Sequence, residues 1–273
     1  MGARDPHRFS HELDDEATRR IINRLESRAK DEVFTRLFHQ YADELDFSAS
    51  CRTLEIGCGT GAVARALAKK AHFSGTITGV DQSESFINAA SEFATAEGVG
   101  EYIGFQVCDG HRLDLQDGQF DIAIAHTLIS HVTDPVAIIR ELARVVRKGG
   151  KLVVFDGDYA SLTYSIPDHE QGRRMDHALA TASFNNPLIM RDLISILPDE
   201  GFTVLETKAD VVSEIGHASY FKSFAETYAP YVASSGLMSE KEVDDWFALI
   251  NKAIDDGTFF AACNYYTYIA ERV

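Results

Sequence analysis

From Arg52 onward, short apolar runs alternate with helical stretches, and this alternation constrains the fold more than any other feature of the chain. "TLEIG", a helix from about Ala62, "TITGVD", a helix from about Ser83, "IGFQVCD", "FDIAIAH", a helix from about Pro135 and "KLVVFDGD" follow one another. Strands separated by helices become parallel neighbours through crossovers, so the pattern predicts an α/β fold, a mostly parallel sheet with helices on both faces. The stretch "TDPVAIIRELARVVRKGGKLVVF" carries its own boundaries. Asp134 stands as N-cap, Pro135 opens the first turn, basic residues fill the last turn, and Gly149 and Gly150 stop it.

The flanks read differently. Residues 11–45 place Ile21, Ile22, Leu25, Val33, Phe34, Leu37, Phe38 and Tyr41 at helical spacing, which predicts one or two amphipathic helices ahead of the sheet. Beyond Phe155 the alternation loosens. Residues 157–201 include a helical "NPLIMRDLISILPDEG", "FTVLETKADVV" reads as a strand, and a helical insertion is expected over 213–257. "FFAACNYYTYIAERV" then reads as a closing, edge-capable strand. The expected organisation is an N-terminal helical cap segment over 1–49 and one domain over 50–273, with substrate-cap segments about 157–186 and 213–257.

Composition narrows the function classes. The chain has 273 residues, enough for one large core with insertions. Against 26 Lys and Arg stand 42 Asp and Glu, a formal charge of -16 that repels phosphate backbones and anionic lipid surfaces. Nucleic acid is an unexpected partner. Cys51, Cys58, Cys108 and Cys263 form no C-x-x-C pair, so neither a zinc site nor a disulfide framework is expected, and a reducing cytoplasm fits. The opening "MGARDPHRFSHELDDE" has no apolar signal core, and Pro6 stands where a myristoylation signal would need Ser or Thr after Gly2.

The chemistry concentrates in the first strand-to-helix turn, where ligands of open parallel sheets bind. Gly57, Gly59 and Gly61 let a ligand approach the backbone, and the amides opening the helix face it. Tight strand-to-helix packing alone also explains such glycines. Asp81 ends the second strand about twenty residues on, where a carboxylate accepts from both hydroxyls of an unphosphorylated ribose. The spacing G-x-G-x-G and the carboxylate of Glu55 beside it disfavour a dinucleotide pyrophosphate; a carboxylate there suits an ammonium or sulfonium.

These segments together resemble the class I S-adenosylmethionine-dependent methyltransferases, in particular the small-molecule branch related to the ubiquinone and menaquinone biosynthesis enzymes. "LEIGCGTG", "GVDQS", "VCDG", "FDIAIAHTLISHVTDP" and "LARVVRKGGKLVV" match that family's motifs in order, over roughly residues 50–156. The resemblance implies a Rossmann-like, mostly parallel seven-stranded sheet with the last strand antiparallel, and S-adenosyl-L-methionine as cofactor. It also implies that Glu55, Gly57, Gly59 and Gly61 hold the methionine end. Asp81 would take the ribose, with Gln82 against the adenine, and Asp109, beside Cys108 and Gly110, would take the adenine amino group. Asp109 reads equally as a turn former in "CDG". His126 would touch the methionine moiety.

In-line methyl transfer needs alignment and exclusion of water more than acid-base help. Should the acceptor lose a proton, the candidates are His126, His131, Asp156 and Asp158, each of which has an alternative as a packed or capping group. "HTLI" stands where many nucleic-acid and protein amine methyltransferases of this fold carry an N-P-P-Y-like tetrad, which favours a small acceptor, attacking through oxygen, carbon or nitrogen. Aromatic residues of the cap segments, among them Tyr159, Phe184, Tyr220, Phe224 and Tyr228, suit an apolar or aromatic acceptor and serve equally as packing. Arg19, Arg20 and Arg24 read as a solvated helix face or as contacts for an anionic group. Two alternatives stay open: an NAD-dependent oxidoreductase, and a non-methylating relative that binds S-adenosylmethionine.

Overall fold

The computed structural model describes residues 15–47, 51–71 and 73–273. The opening residues, with Gly2 and Pro6, lie outside them. Two helices lead, α1 (Asp15–Lys30) and α2 (Glu32–Ala42); Asp31 separates them and accepts from the amides of Val33 and Phe34 as the N-cap of α2. The α/β core then runs β1 (Arg52–Ile56), α3 (Ala62–Ala68), β2 (Thr76–Asp81), α4 (Glu84–Ala96), β3 (Ile103–Val107), β4 (Phe120–His126), α5 (Pro135–Val145) and β5 (Val146–Tyr164). It continues with α6 (His169–Ser183), α7 (Ile189–Asp199), β6 (Phe202–Ile215), α8 (Tyr220–Ser234), α9 (Glu240–Asp255) and β7 (Phe260–Arg272).

All seven strands form one sheet in the order β3-β2-β1-β4-β5-β7-β6. The β1–β4 and β2–β3 neighbours are parallel, as are β1–β2 and β4–β5, whereas β7 runs antiparallel to both β5 and β6. One face packs on α5 and α7 through Ile138, Ile139, Leu142, Leu193 and Leu197. The other carries α2, α3, α6, α8 and α9 in a continuous core that includes Tyr41, Leu67, Met175, Phe224 and Trp246. Both faces of the central strands are therefore buried, which is why these strands read as unbroken apolar runs.

Register positions the site. Ile56 lies level with Val80 on one side and Ala125 on the other, so β1, β2 and β4 end along one line. The glycine turn, Asp81 and His126 leave the sheet at that common edge.

The structure departs from the sequence-based expectation in the last strands. β7 is interior, hydrogen-bonded on both sides, and β6 is the edge strand. Apolar pattern cannot separate these two places, because order in space is fixed by which pairing buries the cap. β5 runs on to Tyr164, past the expected break after Asp158, so residues 157–164 extend the sheet before the chain enters α6. A register shift between Asp158 and Thr163 carries the strand across that point.

Candidate active site

The turn after β1 holds Gly57, Gly59 and Gly61 in the left-handed region, with φ of 67°, 52° and 71°. Gly61 is the N-cap of α3 and has no side chain to satisfy the first amides of the helix. Glu55 takes over that duty from the strand: its Oε2 accepts from the amide of Ala64 at 2.9 Å. Asp81 clasps the same turn from β2, accepting from the amide of Gly59 at 2.9 Å and from that of Ser83 at 2.9 Å. The two carboxylates chosen from the sequence thus fix the glycine turn, and each Asp81 oxygen keeps a lone pair for a further donor.

Burial raises the Glu55 carboxyl from about 4.5 to about 8, against the opposing pull of the Ala64 amide and the Arg65 charge. Burial also raises Asp81, offset by the amides of Ser83, Gly59 and Gln82.

A cleft of about 580 Å³ opens at this edge, a size suited to a small cofactor. Its floor is Glu55 and residues 57–60, one wall is Asp81, Gln82, Cys108, Asp109 and Gly110, and the other is His126, Thr127, Leu128 and His131. Asp109 is mostly exposed and makes an Asx turn, accepting from the His111 amide at 2.9 Å and pairing with the His111 ring at 2.8 Å. Both readings of Asp109 meet here, since the turn former also lines the cleft. Asp156 and Asp158 are not among the lining residues. Asp156 accepts from the amides of Ser130 at 3.0 Å and Gly157 at 2.8 Å, and Asp158 is held by Arg191 at 2.8 Å.

His126 hydrogen-bonds the Tyr41 hydroxyl through Nδ1 at 2.8 Å. Burial, reinforced by the Arg28 charge, holds the imidazole well below its ordinary range, so it is neutral at pH 7. Thr127 follows at φ 52°, a strained value for a β-branched residue, with its amide donating to Phe155 O at 2.6 Å. His131 lines the cleft, and burial raises the Asp156 carboxyl, which accepts from the Ser130 and Gly157 amides.

The sequence reading named an N-terminal helical cap but not the residues by which it meets the cleft. Leu25, Arg28 and Ala29 of α1, and Phe34, Thr35, Phe38 and His39 of α2, line the cleft. Arg28 donates to the Thr127 hydroxyl at 2.7 Å. The helical stripe was legible, but the period of a helix does not say which surface it covers. Arg24 is a further difference. Arg19 and Arg20 are exposed, but Arg24 is buried at 9% exposure, so the solvated-face reading fails for it.

This constellation, a glycine turn clasped by two carboxylates at the carboxyl edge of a β3-β2-β1-β4-β5-β7-β6 sheet, defines an α/β protein of the Rossmann-like methyltransferase fold, with its cleft where open sheets bind their ligands. The family model described as "Methyltransferase domain" matches residues 54–154. Residues 54–154 thus match a methyltransferase domain, on the fold shared by class I S-adenosylmethionine-dependent methyltransferases, a family whose cofactor is S-adenosylmethionine. An uncharacterised 37.1 kDa protein in transposon TN4556 of Streptomyces fradiae is 29% identical over 231 residues, covering 84% of this chain and 65% of that one. The methyltransferase GfsG of Streptomyces halstedii is 33% identical over 125 residues, 46% of this chain and 44% of that one. The match thus spans about half to two thirds of these relatives. Among solved structures, the [4+2]-cyclase SpnF superposes with a TM-score of 0.63 at 19% identity, over 100% of this chain and 97% of that one, which establishes a shared fold.

Among the described residues no helix is long and apolar enough to cross a membrane.

Proposed function

We propose that the protein transfers a methyl group from S-adenosylmethionine to a small-molecule acceptor through oxygen, carbon or nitrogen. The observation that carries this reading is the turn Gly57–Gly61, held open by Asp81 and Glu55 at the floor of the cleft. The residues fit the cofactor: amides and a carboxylate with spare lone pairs line a cleft of the right size. Gly57, Gly59, Gly61 and Glu55 would hold the methionine end, Asp81 and Gln82 the ribose and adenine, and Cys108, Asp109 and Gly110 the far edge of the base. Bound there, the cofactor supplies a sulfonium-borne methyl group that the acceptor displaces in line.

The chain's own contribution is alignment and dryness. α1 and α2 roof the cleft, and α6, α8 and α9 cover the acceptor side, with 157–186 and 213–257 as the substrate-cap segments. His126, kept neutral and fixed by Tyr41, orients the methionine end without adding a repelling charge. For an acceptor that must lose a proton, His131 is the base best placed, lining the cleft with Asp156 behind it. Asp158 serves structure through Arg191. The acceptor is apolar or aromatic, and the charge of -16 argues against nucleic acid as a partner. The four cysteines are free thiols, which supports a cytoplasmic setting.

Calorimetry tests the cofactor assignment. S-adenosylhomocysteine and S-adenosylmethionine should bind, NAD should not, and Asp81→Ala should weaken S-adenosylhomocysteine about tenfold or more through lost charge-assisted hydrogen bonds. Firm NAD binding with none for the sulfur nucleosides would overturn the reading. A second reading, a non-methylating relative that binds the cofactor, is kept because the fold is shared with the [4+2]-cyclase SpnF. Methyl-labelled cofactor offered with phenol, quinone, terpenoid and indole acceptors separates the two: label transferred to an acceptor supports methylation.

A further inference from the structure

The cap holds a buried cation that no carboxylate among the described residues neutralises. Arg24, at 9% exposure, lies over the rings of Tyr228 at 5.1 Å, Phe224 at 5.3 Å and Tyr220 at 5.5 Å, and donates to the Ser223 hydroxyl at 3.3 Å. The same molecule treats its other buried guanidinium quite differently. Arg65, 4% exposed, is matched by Glu26 at 2.5 Å and by Glu97. Ring faces offset only part of the cost of burying a charge, so Arg24 retains an unmet demand for an anion.

Its place in the molecule says what kind of anion. The aromatic box continues from Phe224 and Tyr228 to Phe184, at 6.0 and 5.5 Å, and Phe184 packs on His131 at 5.0 Å, at the wall of the cleft. The carboxyl groups of the site, Glu55 and Asp81, stand at the opposite end beside the glycine turn. A positive charge on the cap side is complementary to an anionic group there.

We infer that Arg24 anchors an acidic group of the acceptor, so that the substrate is an apolar or aromatic acid, carboxylate or phosphate, that enters from the cleft wall at His131. The inference deepens the methyltransferase reading and rests on it for the word acceptor. Arg24 acts here as a specificity residue, distinct from Arg28, which reaches Thr127 at the cofactor end of the same helix.

The test uses the full chain saturated with S-adenosylhomocysteine and three probes of one shape: 2-naphthoate, 2-naphthyl phosphate and the uncharged 2-naphthamide. Calorimetry should show one of the acids bound about tenfold or more tightly than the amide, and which acid wins identifies the group. Arg24→Gln should erase that preference and leave affinity for S-adenosylhomocysteine and for the amide within about twofold; Arg24→Lys should restore part of it. Acid and amide bound alike by the natural protein, or neither bound, overturns the inference whether or not a variant folds. A preference that survives Arg24→Gln also overturns it, as does a loss of S-adenosylhomocysteine affinity in step with the acid, which would assign the guanidinium to the cofactor. Absence of S-adenosylhomocysteine binding in the natural protein sinks the methyltransferase reading instead, and the acid preference is then read without it.

Discussion

At Gly61 the backbone sits at φ 71°, and a Cβ there would lie 2.6 Å from the Phe105 ring. Two costs combine at this position, the left-handed conformation and the collision. Gly98 separates them, because its φ is 72° and a Cβ would meet nothing within 4 Å. Gly98→Ala should cost about 1 kcal/mol by urea denaturation, and Gly61→Ala about 2 kcal/mol or more. Equal costs would show that the helix start yields around the added methyl. Gly61→Ala should also weaken S-adenosylhomocysteine binding, since the same shift moves the turn that Asp81 clasps. These glycines and both carboxylates were legible as letters, because only glycine tolerates this turn and the pattern places it after a strand. Their actual partners were not legible. That Glu55 reaches the Ala64 amide follows from α3 starting on a residue without a side chain, a fact of three dimensions.

Among the elements, α8 shows how far a cap can come from its helix. Its N-cap Ser219 makes no capping bond of its own; Glu214, at the end of β6, accepts from the amides of Ser219, Tyr220 and Phe221 and from the Ser219 hydroxyl. One buried carboxylate thus meets the first orphan donors of the helix and favours its dipole. Glu214→Ala should lower unfolding stability by about 2 kcal/mol or more. Loss within a few tenths of a kcal/mol, by urea midpoint, would mean that water replaces the carboxylate at no cost. α9 offers the contrast: Ser239 and Glu242 form a capping box at a spacing readable from the letters alone. The insertion was therefore legible as helical, whereas its attachment to β6 was not. The same distinction applies to α1 and α2, whose apolar stripe and place as a cap were plain and whose contacts with the cleft, such as Arg28 to Thr127, were not.

For the molecule as a whole, two buried acids set the response to pH. Burial raises Glu55 from 4.5 to about 8 and Asp176 from 3.8 to about 7. Both are protonated in the folded chain at pH 6 and ionised in the unfolded one, so the unfolded state binds fewer protons. The contribution of these two groups therefore falls as pH rises from about 4 to about 8, each by roughly 1.4 kcal/mol for every pH unit that separates its unfolded from its folded titration. Glu55→Gln should flatten that fall, matching the natural protein near pH 5 and exceeding it near pH 8 in urea midpoints taken without cofactor; parallel curves would exclude Glu55 as the source. The sheet's class was legible from the alternation of periods. Its order was not, because the strands after Phe155 are long and their letters do not say which neighbour each pairs with, and only pairing decides which of them ends inside. That interior place of β7 has a consequence for synthesis. Residues 202–215 emerge from the ribosome before the strand that joins them to residues 146–164 exists, so the nascent chain carries two bare strand borders until 260–272 arrive. A chaperone that shields those borders would be needed during that interval alone, and once the last strand slots in, the need disappears.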